Sequence, residues 1–261
     1  MLMSNILNEL ITITRQAGDK IMEFYRRGET QTWTKKDDSP ITEADLAAHH
    51  IIVDGLAQLT PDIPVLSEES ANITWDERKQ WQRYWLVDPL DGTKEFIKRN
   101  GEFTVNIALV DNGTPIMATV YAPALDQMFW ADKENGSFFS EGQQAPIKLD
   151  LTVTQPETKL RVVGSRSHPS AEMATFVEQF ELHEIVPTGS SLKFCLVAQG
   201  RADIYPRLGP TMEWDTGAGH CIALLAGAVV TKLDGSELLY NQRESLLNEF
   251  FVVSHPLIEW N

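Results

Sequence analysis

Apolar residues recur at spacings of three and four near the start of the chain. This pattern predicts an amphipathic helix over residues 6–24 that ends at Gly28. A second helix is predicted over residues 42–59, because Thr42 and Asp45 lie within a segment of capping-box spacing and apolar residues follow from Leu46. The chain is therefore predicted to begin with two helices.

The middle of the chain changes to strand patterns. Residues 103–110 alternate, Asn112-Gly113 is typical of a hairpin turn, and residues 116–121 supply the returning strand. Residues 127–131 and 137–139 predict a second hairpin around an Asn-Gly pair. We therefore expect an antiparallel sheet here.

From residue 160 onward strands and helices alternate. Strands are predicted at 160–163, 184–186, 202–205, 228–233 and 250–253, and helices at 171–180, 190–198 and 215–226. The change falls near the loop 142–158. It predicts an N-terminal α+β half, residues 1–150, and a C-terminal α/β half, residues 151–261.

Composition adds the class of protein and limits its partners. The 261 residues are 43% hydrophobic and 23% charged, which is ordinary for a soluble globular protein of one large or two small domains. The formal net charge of -15 argues against a nucleic-acid or anionic-membrane surface. A phosphate site in such a chain must be made positive locally, by bound metal and a few Lys or Arg side chains.

The cysteines and the apolar runs indicate the compartment. Cys195 and Cys221 both lie in apolar helical patterns, which predicts reduced core thiols. The N-terminus has no pattern of a signal peptide, and the longest apolar run, 221–230, is too short to span a bilayer. The prediction is a cytoplasmic protein without an integral membrane segment; peripheral association with the inner face of the membrane is left open.

The stretch 84–97, YWLVDPLDGTKEFI, carries the strongest chemical signal. An apolar strand ends at Asp88, which Pro89 pushes toward an extended conformation. Asp91, Gly92 and Thr93 then have the pattern of a helix start, where free N–H groups attract anions. Two repelling carboxylates beside an anion site need a cation between them, and oxygen ligands favour Mg²⁺ or Mn²⁺. The stretch predicts a metal-bridged phosphate site.

Three further acids are candidates for the same site. Asp45 and Asp215 each lie at a predicted helix start, where an acid also serves as a cap or complements the helix dipole. Glu68, in a Glu-Glu pair after a short strand at 63–67, is weak evidence alone, because such pairs are common on solvated faces. If Asp215 is a third metal carboxylate, the second half supplies it across a cleft.

Two other enzyme classes share parts of these motifs. Asp215-Thr216-Gly217 is an aspartic-protease signature, but that site needs two such loops in an all-β protein, and here a single one opens a helix. Haloacid-dehalogenase phosphatases use Asp-x-Asp, whereas the spacing here is Asp-x-x-Asp. Neither class fits the predicted elements.

Together, the segments Ser-Glu-Glu-Ser (67–70), Asp-Pro-Leu-Asp-Gly-Thr (88–93) and Trp-Asp (214–215) resemble the inositol monophosphatase superfamily of Mg²⁺-dependent, Li⁺-sensitive phosphatases. The longer stretches DSPITEAD, PVLSEE and VGSRSH are similar to its 3'(2'),5'-bisphosphate nucleotidases, and the resemblance covers nearly the whole chain. It implies an α+β fold, a layered αβαβα sandwich of the inositol monophosphatase and fructose-1,6-bisphosphatase type.

The resemblance also implies roles for particular residues. Glu68, Asp88 and the carbonyl of Leu90 would bind one Mg²⁺ ion, and Asp88, Asp91 and Asp215 a second, so that a site holds two or more ions. Gly92 and Thr93 would contact the phosphate, and Asp45 with Thr93 would orient the attacking water. The positions that contact the nucleotide in the bisphosphate nucleotidases are matched by His168, Ser190, Lys193 and Arg207.

The function implied is removal of the 3'-phosphate from adenosine 3',5'-bisphosphate, and from its 5'-phosphosulfate analogue, to clear a by-product of sulfate assimilation. The partner is then a small nucleotide bisphosphate and not nucleic acid, and the protein is a monomer or a homodimer.

An inositol or sugar phosphatase on the same scaffold remains the alternative, since Glu-Glu-Ser at 68–70 also occurs in inositol monophosphatases. A catalytically silent regulator that binds nucleotide or metal is the third hypothesis. It would normally have lost a metal ligand, and all are present.

Overall fold

The computed structural model describes residues 2–28, 31–34, 40–165 and 171–260. The helices are α1 (Leu2–Arg27), α2 (Glu43–Leu59), α3 (Trp75–Arg78), α4 (Thr93–Ile97), α5 (Ala171–Val177), α6 (Leu192–Ala198) and α7 (Glu213–Leu225). The strands are β1 (Thr32–Thr34), β2 (Pro40–Thr42), β3 (Val65–Ser67), β4 (Arg83–Asp91), β5 (Thr104–Asp111), β6 (Thr114–Ala122), β7 (Gln127–Asp132), β8 (Gly136–Glu141), β9 (Ile147–Leu149), β10 (Leu160–Ser165), β11 (His183–Thr188), β12 (Ile204–Arg207), β13 (Val229–Lys232) and β14 (Phe251–Ser254).

The larger sheet contains seven strands in chain order, β3 to β9. β3 runs parallel to β4, and every later pair is antiparallel. Both predicted hairpins are confirmed. Gly113 lies in the first turn and Gly136 begins β8 directly after the second, with φ of +82° and +89°, a conformation that glycine adopts without strain.

Both faces of this sheet are covered by helices. Along β4, Trp85 and Val87 belong to a hydrophobic cluster with α1 and α2, whereas Tyr84 and Leu86 belong to the cluster with α6 and α7. Successive side chains of a strand point to opposite faces, so a strand covered on both sides is apolar at every position. This explains why residues 84–87 form a continuous apolar run.

The smaller sheet has the order β11-β10-β12-β14-β13, in which β11, β10 and β12 are parallel. One face packs against α6 and α7, and the other packs against α5. The layers are therefore α1 with α2, the larger sheet, α6 with α7, the smaller sheet, and α5. This confirms the predicted αβαβα sandwich.

Two glycines allow α7 to pack closely. A Cβ atom at Gly217 would lie 2.7 Å from Cδ2 of Leu86 in β4, and a Cβ at Gly219 would lie 2.6 Å from the ring of Phe194 in α6. Because these positions lack side chains, α7 approaches the larger sheet closely. Its first turn, which carries Asp215, is thereby brought to the end of β4.

Two predicted helix starts are wrong by two residues. α6 begins at Leu192 and not at Ser190, because Ser190 has a φ of +44°, which cannot continue a right-handed helix. α7 begins at Glu213, so Asp215 is its third residue and not its first.

The boundary predicted at residue 150 falls between the two sheets, but one hydrophobic cluster contains residues from both sides of it. Whether the halves are separate units stays a prediction.

Cys195 and Cys221 are buried free thiols, as predicted. Among the described residues, the helices are either too short or too polar to cross a bilayer.

Candidate active site

The centre of the site is the carboxyl end of β4. Asp88 is paired with Asn106 of β5, and the register then shifts before Asp91 pairs with Thr104. Pro89 lies within this bulge, where its missing N–H removes a ladder hydrogen bond. Asp88 Oδ1 instead accepts a hydrogen bond of 3.0 Å from the N–H of Leu90. The bulge places both aspartates at one end of the strand.

Three carboxylates from two distant parts of the chain meet here. One oxygen from each of Asp88, Asp91 and Asp215 lies within 4.8 Å of the others. Asp88 is buried, and the other two are half-buried. Asp215 Oδ2 also accepts hydrogen bonds from the N–H of Met212 at 2.9 Å and from Oγ1 of Thr211 at 2.8 Å. Asp215 therefore caps α7 and joins the cluster at the same time.

Glu68 approaches the cluster from the strand next to β4. β3 pairs in parallel with β4, with Ser67 opposite Val87, so the 3₁₀ turn that starts at Glu68 lies beside the end of β4. Glu68 forms a side-chain hydrogen bond with Asp88, and its charge raises the pKa of both Asp88 and Asp215. The structure thus brings all four predicted acidic ligands together.

Burial and mutual repulsion raise the pKa of these carboxyl groups. Burial is the main cause for Asp91 and Asp215, each of which has a pKa of about 6, and the pKa of Asp88 lies well above its usual range. Carboxylates crowded in this way fit a divalent cation, because a hard cation with oxygen ligands neutralises the repulsion.

We expect metal binding to be coupled to pH. Because Asp91 and Asp215 have folded pKa values near 6, above the usual 3.8, the metal-free protein should lose stability as pH rises from about 4 to about 6. Mg²⁺ binds the deprotonated carboxylates, so it should raise the melting temperature more at pH 7 than at pH 5. Thermal melts with Mg²⁺ or with EDTA at the two pH values measure this. An equal increase at both would contradict it.

Asp45 and Thr93 lie beside the carboxylates. Asp45 is buried in the first turn of α2, where its Oδ2 accepts a hydrogen bond of 2.9 Å from the N–H of Thr42. Its other oxygen, Oδ1, accepts one of 3.2 Å from the hydroxyl of Thr93. The capping geometry and the contact with Thr93 are therefore both present. Thr93 begins α4 after Gly92, whose φ of +89° disfavours any residue with a side chain.

A cavity of about 150 Å³ opens next to Asp91 and Asp215. Ser190, Lys193 and Arg207, three of the predicted nucleotide contacts, line it. The fourth, His168, lies outside the described residues.

The two cations differ in their surroundings. Nζ of Lys193 donates a hydrogen bond of 2.8 Å to the carbonyl of Ser190, and burial lowers the pKa of Lys193 to about 8. Arg207, at the end of β12, donates from its guanidinium to the carbonyl of Pro210. The hydroxyl of Ser190 is buried without a hydrogen-bond partner among the described residues, which leaves it for a ligand. The cavity thus holds two cations next to the carboxylates of Asp91, Asp215 and Glu95.

Sequence reasoning missed the residues that hold the carboxylates in place. The hydroxyl of Ser191 lies 2.9 Å from Oδ2 of Asp91 and 2.8 Å from the carbonyl oxygen of Asp215, and Nδ2 of Asn106 donates to it at 2.7 Å. Glu95 and Tyr205 also line the cavity. The available signal was Asn106 itself, a fully buried amide within the apolar run of β5.

Clustered acids at a cavity that also contains two cations, in this layered fold, define the site of a metal-dependent phosphatase. The chain belongs to the inositol monophosphatase family, whose family model matches residues 2–256.

Individual relatives show which members of the family this chain resembles. The chain is 50% identical over 250 residues to the 3'(2'),5'-bisphosphate nucleotidase CysQ of Salmonella typhimurium (strain LT2), covering 95% of this chain and 99% of that protein. The crystal structure of CysQ from Bacteroides thetaiotaomicron superposes with a TM-score of 0.85 at 39% identity, covering 97% of each chain. These matches confirm the resemblance to bisphosphate nucleotidases that the motifs predicted.

A more distant structure shares the fold. An inositol monophosphatase/NADP phosphatase complexed with Mg²⁺ and phosphate has a TM-score of 0.74 at 20% identity, covering 93% of this chain and 87% of that one.

Proposed function

We propose that this protein is a 3'(2'),5'-bisphosphate nucleotidase that hydrolyses the 3'-phosphate of adenosine 3',5'-bisphosphate to give AMP. The observation that carries the proposal is that the acids and the cations share one cavity: the carboxylates of Asp91 and Asp215 line the same cavity as Lys193 and Arg207. An ester phosphate at the acids therefore leaves the rest of the substrate next to two cations, where a second phosphate would be bound. We extend the proposal to the 5'-phosphosulfate analogue and to a role in sulfate assimilation.

We assign the metal to the acidic cluster. Glu68, Asp88, Asp91, Asp215 and the carbonyl of Leu90 would hold Mg²⁺, with two or more ions per site. Bound there, Mg²⁺ would neutralise charge on the phosphoryl oxygens and lower the pKa of water. Support comes from the all-oxygen donor set and from the raised pKa values of the aspartates.

The remaining roles follow from the hydrogen bonds. The hydroxyl of Thr93 donates to Asp45, which supports our assignment of this pair to orienting the attacking water, with the carboxylate of Asp45 as acceptor of its proton. Gly92 has a positive φ, and N–H groups at the start of α4 would bind the phosphate. Lys193, Arg207 and the hydroxyl of Ser190 would bind the nucleotide, with His168 as a further contact. We also propose inhibition by Li⁺ and action in the cytoplasm as a monomer or homodimer.

A panel of substrates tests the proposal. Phosphate release from adenosine 3',5'-bisphosphate, inositol 1-phosphate and fructose 1,6-bisphosphate is measured with Mg²⁺, each with and without Li⁺ and with and without a chelator. We expect kcat/KM for the nucleotide to exceed that for inositol 1-phosphate by about tenfold or more, because a site with two cations recognises a second phosphate. Fructose 1,6-bisphosphate also has a second phosphate, so its hydrolysis tests whether the nucleoside contributes to recognition. The chelator should abolish release. Faster hydrolysis of inositol 1-phosphate would show that the substrate assignment is wrong.

Two neighbouring serines should separate the metal site from the substrate site. Because Ser191 contacts Asp91 and Asp215, Ser191→Ala should raise the Mg²⁺ concentration for half-maximal activity by about tenfold. Ser190 lines the cavity without contacting a carboxylate, so Ser190→Ala should raise KM for the nucleotide and leave the Mg²⁺ dependence unchanged. Activity titrated against Mg²⁺ and against substrate separates the two. The same response in both variants would contradict this division.

A further inference from the structure

A second cavity, of about 460 Å³, lies at the other end of β4. It is bounded by α3 and the residues after it, by the turn between β5 and β6, and by the segment 240–242. Tyr84 lines it near the start of β4, whereas Asp88 lies near the end. At about 3.3 Å per residue, the two positions are about 13 Å apart. None of the described residues that line this cavity lines the active-site cavity.

A residue that lines this cavity, Tyr84, has a buried hydroxyl that the described part of the fold leaves without a hydrogen bond. Tyr84 is 1% exposed, and its hydroxyl is buried with no hydrogen-bond partner among the described residues. The neighbouring Tyr240 differs, since its hydroxyl lies 3.0 Å from Nδ1 of His220 and 3.3 Å from Oγ1 of Thr216. Buried hydroxyls are nearly always hydrogen-bonded, so a water or a ligand group at the floor of the cavity would satisfy that of Tyr84.

The other lining side chains are aromatic rings and carboxamides. Trp81 and Tyr84 have ring centroids 5.9 Å apart with a tilt of 41°, and Trp75 adds a third, half-buried ring. The carboxamides belong to Gln80, Gln82, Asn112, Asn241 and Gln242.

Two of these carboxamides, Gln80 and Gln242, retain groups for a ligand. The Nε2 groups of Gln80 and Gln242 donate to the carbonyls of Asp76 and Tyr240 at 2.8 and 2.9 Å. Each bond uses one N–H, so the carboxamide keeps its oxygen and its second N–H. Rings for stacking, together with amide groups that both donate and accept, match the faces and edges of a nucleobase.

The lining of the cavity presents little net charge to a ligand. Among the described residues that line it, Lys79 alone carries a charge, and its ammonium pairs with Asp76 at 2.5 Å. The chain as a whole has a net charge of -15, which repels anions at long range. The cavity therefore favours a neutral ligand, unlike the active site.

We propose that this cavity is a second small-molecule site, which takes a neutral heteroaromatic compound of the nucleobase or nucleoside class. The base stacks on the tryptophan rings, and its edge bonds to the hydroxyl of Tyr84 and to the carboxamides. A cavity of about 460 Å³ lies within the range of about 300–1,000 Å³ typical of small-molecule sites. The inference does not depend on the function proposed for the active site.

Calorimetric titration of the full-length protein, with Mg²⁺ present, tests the proposal. The probes are adenosine, guanosine, cytidine and uridine, which lack the phosphate that the active site would bind. We expect at least one to bind with measurable heat. Tyr84→Phe, which removes only the hydroxyl, should weaken that binding by about three- to tenfold. Trp75→Ala should weaken it by about tenfold or more.

Lys193→Met serves as the matched control, because it alters the active-site cavity and leaves the second cavity intact. Binding that persists in Lys193→Met and weakens in Tyr84→Phe and Trp75→Ala supports the proposal. If Trp75→Ala does not fold, Tyr84→Phe decides alone, since it keeps the ring. The proposal is overturned by no binding of any of the four nucleosides at millimolar concentration, or by binding that Lys193→Met abolishes and Tyr84→Phe leaves unchanged.

Discussion

Asp91→Asn is expected to reduce phosphate release by about a thousandfold or more, which corresponds to about 4 kcal/mol in the activation free energy. Asp91 contributes one of three carboxylate oxygens that lie within 4.8 Å of each other, and asparagine of the same shape lacks the charge that a divalent cation requires. Steady-state release of phosphate from adenosine 3',5'-bisphosphate at saturating Mg²⁺ measures the loss.

The stability of the same variant separates loss of metal from loss of fold. Burial and repulsion from Asp215 raise the pKa of Asp91, so in EDTA at pH 7 Asp91→Asn should melt at a higher temperature than the wild type. The increase in melting temperature that Mg²⁺ causes should be smaller in Asp91→Asn than in the wild type. Asp62→Asn, the same change at an exposed position, is the control and should alter neither quantity. Unchanged phosphate release from Asp91→Asn would reject the metal mechanism.

Replacing both Lys193 and Arg207 by alanine should lower kcat/KM for adenosine 3',5'-bisphosphate by about a hundredfold or more. Each cation would make a charge-assisted hydrogen bond to the substrate, worth about 1.5–3 kcal/mol. Both side chains line the cavity next to Asp91 and Asp215. Any activity toward inositol 1-phosphate should change little, because that substrate has no second phosphate for these cations. Parallel kinetics on the two substrates give the comparison.

The control for the double variant changes an exposed lysine and an exposed arginine, Lys98→Ala with Arg201→Ala. It matches the change in net charge, and should leave kcat/KM near that of the wild type. In the wild type, KM should also rise above pH 8, because burial lowers the pKa of Lys193 to about 8 and its charge is lost there. Equal losses on both substrates would mean that the two cations do not select the nucleotide.

Local patterns were sufficient to predict most elements of the fold. The capping segment at Thr42, the two hairpin turns and the continuous apolar run of β4 each express a short-range constraint of backbone or burial, and the structure has each of them. The predicted helix starts at Ser190 and Asp215 were wrong because the positive φ of Ser190 and the position of Met212 as cap depend on contacts beyond the local sequence.

The sequence predicted the acids of the candidate site better than the residues that position them. The acids could be found in the sequence because carboxylates are unusual at the end of an apolar strand. The residues that position them could not, because Ser191 has no distinctive pattern and approaches Asp91 only after α6 packs against α7 and the smaller sheet. The second cavity shows the same limit, since Tyr84 is indistinguishable in sequence from any other aromatic residue of a buried strand.

The sequence by itself determined the chemistry of the segment 88–93: two carboxylates, a proline that distorts the strand, and a glycine that begins a helix. These are local properties, set by side-chain type and backbone preference over six residues. Only the tertiary structure decided that Asp215, more than a hundred residues away, has a carboxylate oxygen within 4.8 Å of oxygens of Asp88 and Asp91. The physical reason is packing: Gly217 lets α7 lie against Leu86 of β4, and that contact completes the acidic site.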